Sequence, residues 1–230
     1  MIEEPPLLKI RQIAGRNRPS QAQIEALRGV PTGFICDALD GFASLEGLTP
    51  LDPAVLPVAL CGPALCVQSG PGDILALLAA LPEIQAGDVL VNAFDWQGGA
   101  AAGDRLMGMA KNASAAGLVT DGPVRDHEGI LKVGLPVFCK GLNPNSPYAK
   151  GPGSVGFAVT IGARRVETGD MVVGDRDGVV VVPFDQIDRV IEAVGHIAEM
   201  ENALDARIDA GLVCPPEILD LLAGDQVQRV

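Results

Sequence analysis

Aromatic residues are scarce in this chain: six Phe, one Tyr and one Trp make up 3% of 230 residues, against 48% hydrophobic residues overall. A core with so few rings is aliphatic, and the length allows one large, well-buried domain. Positive charge is also short. Seventeen Lys and Arg face 29 Asp and Glu, a net charge of −12, so nucleic acid and anionic lipid are repelled and neither is an expected partner. The cysteines (Cys36, Cys61, Cys66, Cys139, Cys214) are odd in number and fall in no CxxC or Cys/His zinc spacing, which fits free thiols of a cytoplasmic protein. No window reaches the roughly 18 uninterrupted apolar residues of a membrane span, and Met1-Ile-Glu-Glu-Pro-Pro carries neither a basic nor an apolar leader region. A soluble, intracellular protein is expected. There is no GxxxxGK[ST], no GxGxxG after a strand and no GxSxG elbow, which sets aside P-loop, dinucleotide and serine-nucleophile chemistry.

What is present centres on residues 98–126, GGAAAGDRLMGMAKNASAAGLVTDGPVRD, which read as a loop, a helix, a strand and a polar turn. Asp104 opens a helical pattern in which Leu106, Met109, Ala110 and Ala113 fall at i, i+3, i+4 and i+7, one apolar face. Backbone N–H groups at its start, beside flexible Gly103, offer a place for a carboxylate or phosphate. Gly117 stops the helix, and Leu118, Val119 and Thr120 are a short buried strand. Asp121-Gly-Pro-Val-Arg-Asp126 is then a turn with one cation between two carboxylates. A helix start, Arg125 and Asp126 in one unit are the parts that grip an oxo acid and a divalent metal. As plain turn chemistry, the same pair is a structural salt bridge.

Elsewhere, residues 1–19, with basic residues from Arg11 to Arg18, read as a surface arm. Ser20 N-caps a helix reaching Arg28, and Pro31-Thr32 cap a second, PTGFICDALDG, with Phe34, Ala38 and Leu39 on one face and Asp37 and Asp40 off it. LCGPALCVQ (60–68) alternates as a strand, Asp73 caps a helix in ILALLAALPEI, and VLVNAF is the near-continuous apolar run of a parallel strand covered on both faces. This alternation argues for a parallel α/β layer. His127 has no visible partner and reads as a surface histidine, ahead of a short helix and a strand ending at Cys139. Residues 141–156 form a loop long enough to cover a site. From Phe157, short β-branched runs between Gly-Asp and Asp-Gly turns indicate antiparallel pairing in a second sheet. Asp170, Asp175 and Asp177 are turn residues there. A long amphipathic helix follows Phe184, with Ile187, Val190, Ile191 and Val194 on one side, suited to packing on a neighbouring subunit. His196 lies on its face, and CPPEILDLLAG is a short tail helix.

GDRL at 103–106, DGPVRD at 121–126, LPVF at 135–138 and VETGDMVVGDRDGVVVVP at 166–183 together resemble the RraA-like family. That family includes 4-hydroxy-4-methyl-2-oxoglutarate aldolases, which also decarboxylate oxaloacetate, and the regulator of ribonuclease activity A. With PTGFICDALDG and CGPALCV added, the resemblance runs from about Pro31 to Pro183. It implies an α/β chain: a three-layer β/β/α domain with a parallel central sheet and a second antiparallel sheet over 31–183. Residues 1–30 are then an N-terminal arm and helix, and 184–230 a C-terminal helical extension packing on a neighbouring subunit in a homotrimer or homohexamer.

By the same resemblance, Gly103, Asp104, Arg105 and Leu106 match the loop whose backbone amides hold the substrate carboxylate. Arg125 matches the substrate-binding arginine, and Asp126 the direct ligand of Mg²⁺ or Mn²⁺. Asp104 also matches an acidic position that orients water at the metal. Glu201 looks like the glutamate of the C-terminal helix that reaches a neighbouring subunit's site, with Glu199 one helical step away. Arg105 stands where family members often carry an apolar residue, and Trp96 with Phe94 adds bulk nearby, which leaves the particular oxo acid open. The implied function is a metal-dependent lyase cleaving a 2-oxo acid to pyruvate through a metal-stabilised enolate. The alternative is a non-catalytic regulator that binds a ribonuclease or helicase. Gly103, Arg125, Asp126 and the long C-terminal helix favour the enzyme. A methyltransferase reading, carried by some relatives in name, finds no strand followed by a glycine-rich cofactor loop.

Overall fold

The computed structural model describes residues 6–12 and 15–228; the first five residues of the expected arm lie outside it. In chain order the elements are β1 (Leu8–Ile10), α1 (Gln21–Leu27), α2 (Thr32–Ala38), β2 (Thr49–Pro50), β3 (Leu60–Gln68), α3 (Leu75–Ala80), β4 (Val89–Ala93), α4 (Asp104–Asn112) and β5 (Gly117–Thr120). There follow α5 (His127–Val133), β6 (Val137–Cys139), β7 (Gly153–Val155), β8 (Val159–Ile161), β9 (Arg164–Val166), β10 (Met171–Gly174), β11 (Val179–Val182), α6 (Ile187–Asp209) and α7 (Pro216–Ala223).

Strands β3, β4, β5 and β6 run parallel side by side. β7 and β1 extend the sheet beyond β3, and β2 closes the other edge against β6. β3 serves two sheets. Residues 60–63 pair antiparallel with β10, which pairs in turn with β11, while residues 64–68 pair with β4. The expected β/β/α arrangement is therefore present, with helices on the outer face of the second sheet as well. One apolar layer joins α3, α4 and α5 to the central sheet through Leu77, Met107, Leu118 and Ile130. A second fills the space between the sheets with Val91, Val119, Phe138 and Val172. The third packs Leu27, Ile35 and Val190 of α1, α2 and α6 on Val173 and Val180. All five residues of β4 are buried, since both its faces meet a layer; each such Val or Leu contributes roughly 1.5–3 kcal/mol.

Local signals behave as their chemistry requires. Ser20 and Gln23 form a reciprocal capping box at α1. Asp73 Oδ1 accepts from Leu75 N–H at 2.8 Å, and its other oxygen from Lys150 N–H; the N-cap position of α3 is Ile74, so Asp73, one residue ahead of it, holds the first helical N–H and ties down the 141–156 loop. Asp170 accepts from Glu167 and Phe184 N–H, and Asp175 from Thr32.

Four expectations need correction. In α2 the buried residues are Thr32, Ile35 and Ala38, and Phe34 is half-buried, because the second sheet lies along the Ile35 side. In α4 the core takes Met107, not Met109, which is 43% exposed; α4 is held between the sheet and α5, and its inner face lies one residue from the amphipathic estimate. The chain leaves α4 at Ser114, in a left-handed conformation (φ 65°). Gly117 is instead the first residue of β5, where a Cβ would stand 2.7 Å from Pro136 O and 2.8 Å from Leu60 Cδ1. Finally, the arm is not confined to the surface: Arg16 and Arg18 both reach the fully buried Asp88.

Candidate active site

The parallel strands all deliver their carboxyl ends to one rim, the usual place for a ligand in such sheets. There the 94–103 loop after β4 and the 121–126 turn after β5 are laced together. Ala101 N–H donates to Pro123 O (2.7 Å) and Arg125 N–H to Ala102 O (3.0 Å), while Asp121 Oδ1 accepts from Phe94 and Asp95 N–H. The 141–156 loop joins them, with Val124 N–H on Gly141 O and Asn143 N–H on Val124 O, each 2.9 Å. Between these loops and α3 opens a cleft of about 400 Å³ lined by residues 102–106, Met109, Arg125, Asp126, Ile74, Leu78 and Pro147.

Gly103 is needed for closeness rather than flexibility. Its backbone is extended (φ −142°), but a Cβ would sit 2.5 Å from Asp126 Oδ2 and 3.2 Å from Arg125 Cγ. Asp126 takes the N-cap position of α5 in a left-handed conformation (φ 59°, ψ 44°), and its side chain caps nothing. Aspartate tolerates that conformation better than most residues, and here it leaves the carboxylate facing Gly103. Arg125 Nη1 donates to Ser146 Oγ at 2.6 Å, and its Nε lies 3.4 Å from Asp126 Oδ2; both side chains stay partly open to solvent. Asp104 packs against α5, where a Cβ on Gly129 would come within 2.5 Å of its Oδ2. No side chain caps the start of α4, whose first residues line the cleft; a helix start carries N–H groups without intrahelical partners and the positive end of the helix dipole.

Gly103, Asp104, Arg105, Leu106, Arg125 and Asp126 thus line one space. Glu201 does not join them within one chain. It is exposed on the far half of α6, whose buried half packs with α1 and α2 on the outer face of the second sheet. Glu199 is exposed there too. His127 does have a partner: its Nε2 lies 3.4 Å from Asp52 Oδ2, outside the cleft lining. Trp96 and Phe94 add no bulk to the cleft: Phe94 is fully buried, and Trp96 lies over Gly98 and Gly99. Ser146 and the apolar wall of Ile74, Leu78, Met109 and Pro147 were not marked as site residues. Leu78 carries a signal, being an apolar position left over once the buried face of α3 is counted; Met109 reads as core, and a proline or serine in a long loop carries none.

No buried thiol offers a nucleophile. Burial pushes Cys66 up to about 12 and Cys61 to about 11, and raises Cys139. Among the described residues no group of three His, Cys, Asp or Glu is placed to hold a metal. The donors present are hard carboxylates at an open cleft, Asp126 and, from the start of α4, Asp104, which fit an ion that keeps several waters, as Mg²⁺ does, and not a thiolate- or imidazole-bound metal.

Fold and cleft define a two-sheet α/β protein with an open cleft, lined by two arginines and two aspartates, at the carboxyl ends of its parallel strands. The RraA-like family model (Aldolase/RraA) matches residues 32–181, and the chain belongs to that family. A relative from Halalkalibacterium halodurans, named "Putative 4-hydroxy-4-methyl-2-oxoglutarate aldolase", is 37% identical over 75% of this chain and 83% of its own. A solved Streptomyces coelicolor structure, described as an unusual member of the RNase ES inhibitor RraA protein family, superposes with a TM-score of 0.73 at 30% identity. It covers 83% of this chain and 100% of its own. An uncharacterized Pseudomonas syringae protein shares the fold, with a TM-score of 0.74 at 23% identity over 86% of this chain and 97% of its own. No helix among the described residues is long and apolar enough to cross a membrane.

Proposed function

We propose that this protein is a divalent-metal-dependent lyase that cleaves a 2-oxo acid to pyruvate, acting as a 4-hydroxy-4-methyl-2-oxoglutarate aldolase, an oxaloacetate decarboxylase, or both. The observation that carries the reading is the convergence of Arg125, Asp126 and the α4 amides on one cleft, together with the aldolase name of a relative. In aldol cleavage the 4-hydroxyl loses its proton and the C3–C4 bond breaks; in decarboxylation the bond to the distal carboxylate breaks and CO₂ leaves. Either way the electron pair becomes a pyruvate enolate, so charge develops on the 2-oxo oxygen. The N–H groups of residues 104–106 hold the substrate carboxylate, and the Arg125 guanidinium, kept in place by Ser146 Oγ, stabilises that charge. Asp126 would hold Mg²⁺ or Mn²⁺, which when bound supplies Lewis acidity at the oxo group. Asp104 positions a water that returns the proton to C3. Glu201, or Glu199 beside it, completes the site from a second copy in a homotrimer or homohexamer.

The test is a coupled pyruvate-release assay on oxaloacetate and 4-hydroxy-4-methyl-2-oxoglutarate with Mg²⁺ or EDTA. Turnover is expected with Mg²⁺ and not with EDTA, and metal-independent turnover would sink the mechanism. The second reading, a regulator of ribonuclease activity, is favoured by the likeness to the Streptomyces coelicolor structure. It is adopted if neither acid is turned over and the protein inhibits an RNase E-type enzyme.

A further inference from the structure

Of the two guanidiniums at the cleft, one is engaged and one is not. Arg125 is held by Ser146 Oγ and lies beside Asp126. Arg105 is exposed, lines the same cleft, and forms no ion pair with a carboxylate among the described residues. A guanidinium is a planar fork matched to a carboxylate. The α4 amides and Arg125 already suffice for one carboxylate and an oxo oxygen, so the cation in excess is left for the far end of a small acid. Met109 stands one turn along α4 on the side of Arg105, and with Ile74, Leu78 and Pro147 it makes that part of the cleft apolar. We infer that the Arg105 side chain is the specificity-determining group of the site. It holds the distal carboxylate of a 2-oxo dicarboxylic acid, and the apolar wall receives the alkyl branch on the carbon next to that carboxylate. The inference rests on the lyase reading, which gives Arg105 only a backbone amide to contribute.

Two acids that differ only at the far end test it: 2-oxoglutarate and 2-oxopentanoate. Neither carries the 4-hydroxyl that aldol cleavage needs, so binding to the full chain in Mg²⁺ is read by calorimetry without turnover. The wild-type protein is expected to favour 2-oxoglutarate by roughly 10- to 100-fold, the worth of one charged hydrogen-bonded pair. Arg105→Leu removes the preference by weakening 2-oxoglutarate alone, and Arg105→Lys restores part of it. With 4-hydroxy-4-methyl-2-oxoglutarate, Arg105→Leu raises KM and leaves kcat unchanged. A preference that survives in Arg105→Leu, or a wild type that binds both acids equally, overturns the assignment while leaving the lyase reading intact. A wild type that binds neither acid and releases no pyruvate overturns the lyase reading and this inference with it.

Discussion

Two arginine–aspartate clusters sit at opposite ends of the same parallel sheet. At the amino end, Asp88 precedes β4 with no exposed side-chain surface, accepting from Arg16 at 2.5 Å, from Arg18, and from Gln85 N–H. At the carboxyl end, Arg125 and Asp126 follow β5 with a 3.4 Å separation and side chains 35% and 44% exposed. The residue types are the same and the consequences are opposite. A buried carboxylate is tolerated when both its oxygens are engaged, as those of Asp88 are, and an engaged carboxylate has no capacity left for a ligand. The open pair is weak as a stabilising contact, and its carboxylate, capping nothing at α5, keeps that capacity. Exposure, not composition, separates the structural cluster from the candidate catalytic one.

The largest effect should come from breaking the buried cluster. Asp88→Asn removes the acid that Arg16 and Arg18 share, and is expected to cost about 3–5 kcal/mol of stability, read by chemical denaturation, with activity per folded molecule retained. A loss under 1 kcal/mol would show that the arm is dispensable. The complementary change, Asp126→Ala, should lower pyruvate release roughly 100- to 1,000-fold, as removal of one key electrostatic group does. Its stability should stay within about 0.5 kcal/mol of wild type. If Asp126→Ala destabilises and stays active, the two clusters have the same structural role and the comparison collapses.

The sequence makes the open cluster far easier to find than the buried one. Arg125, Asp126 and Gly103 lie within one short loop–helix–strand unit, where spacing alone groups them; VLVNAF is buried throughout, as its pattern requires, while LCGPALCVQ is the expected strand but is buried on both faces and not in alternation. Arg16 and Asp88 are 72 positions apart, and no local pattern links them, so the basic arm looked like solvent-exposed charge. The same limit explains Met109: periodicity identifies an amphipathic helix, but which of Met107 and Met109 faces the core depends on how α5 packs, a tertiary fact. Ser146 is of that kind too, a loop residue given meaning only by where Arg125 ends.

Smaller effects refine the open site. Gly103→Ala places a methyl where Asp126 Oδ2 now lies 2.5 Å away, on backbone that is extended and imposes no strain of its own. The carboxylate must shift, and a displacement on the order of 1 Å costs about a hundredfold in rate. A fall in kcat/KM with an unchanged melting temperature is expected; unaltered kinetics would remove Gly103 from the site.

The mildest test is Ser146→Ala. It deletes the hydroxyl that accepts from Arg125 Nη1 at 2.6 Å, on an exposed loop residue, so the fold has little to lose. Arg125 keeps its charge and its approach to Asp126, and gives up only the contact that fixes its orientation. A hydrogen bond to a charged group is worth about 1.5–3 kcal/mol when buried, and less in an open cleft. The expected loss in kcat/KM is therefore roughly tenfold, well below that of Asp126→Ala. If Ser146→Ala matched Asp126→Ala in severity, the serine would itself be touching substrate, and the division of labour between a charged pair and its supporting loop would have to be redrawn. If it had no effect at all, Arg125 would owe its position to the turn alone, and the 141–156 loop would be a cover for the cleft and not a part of it.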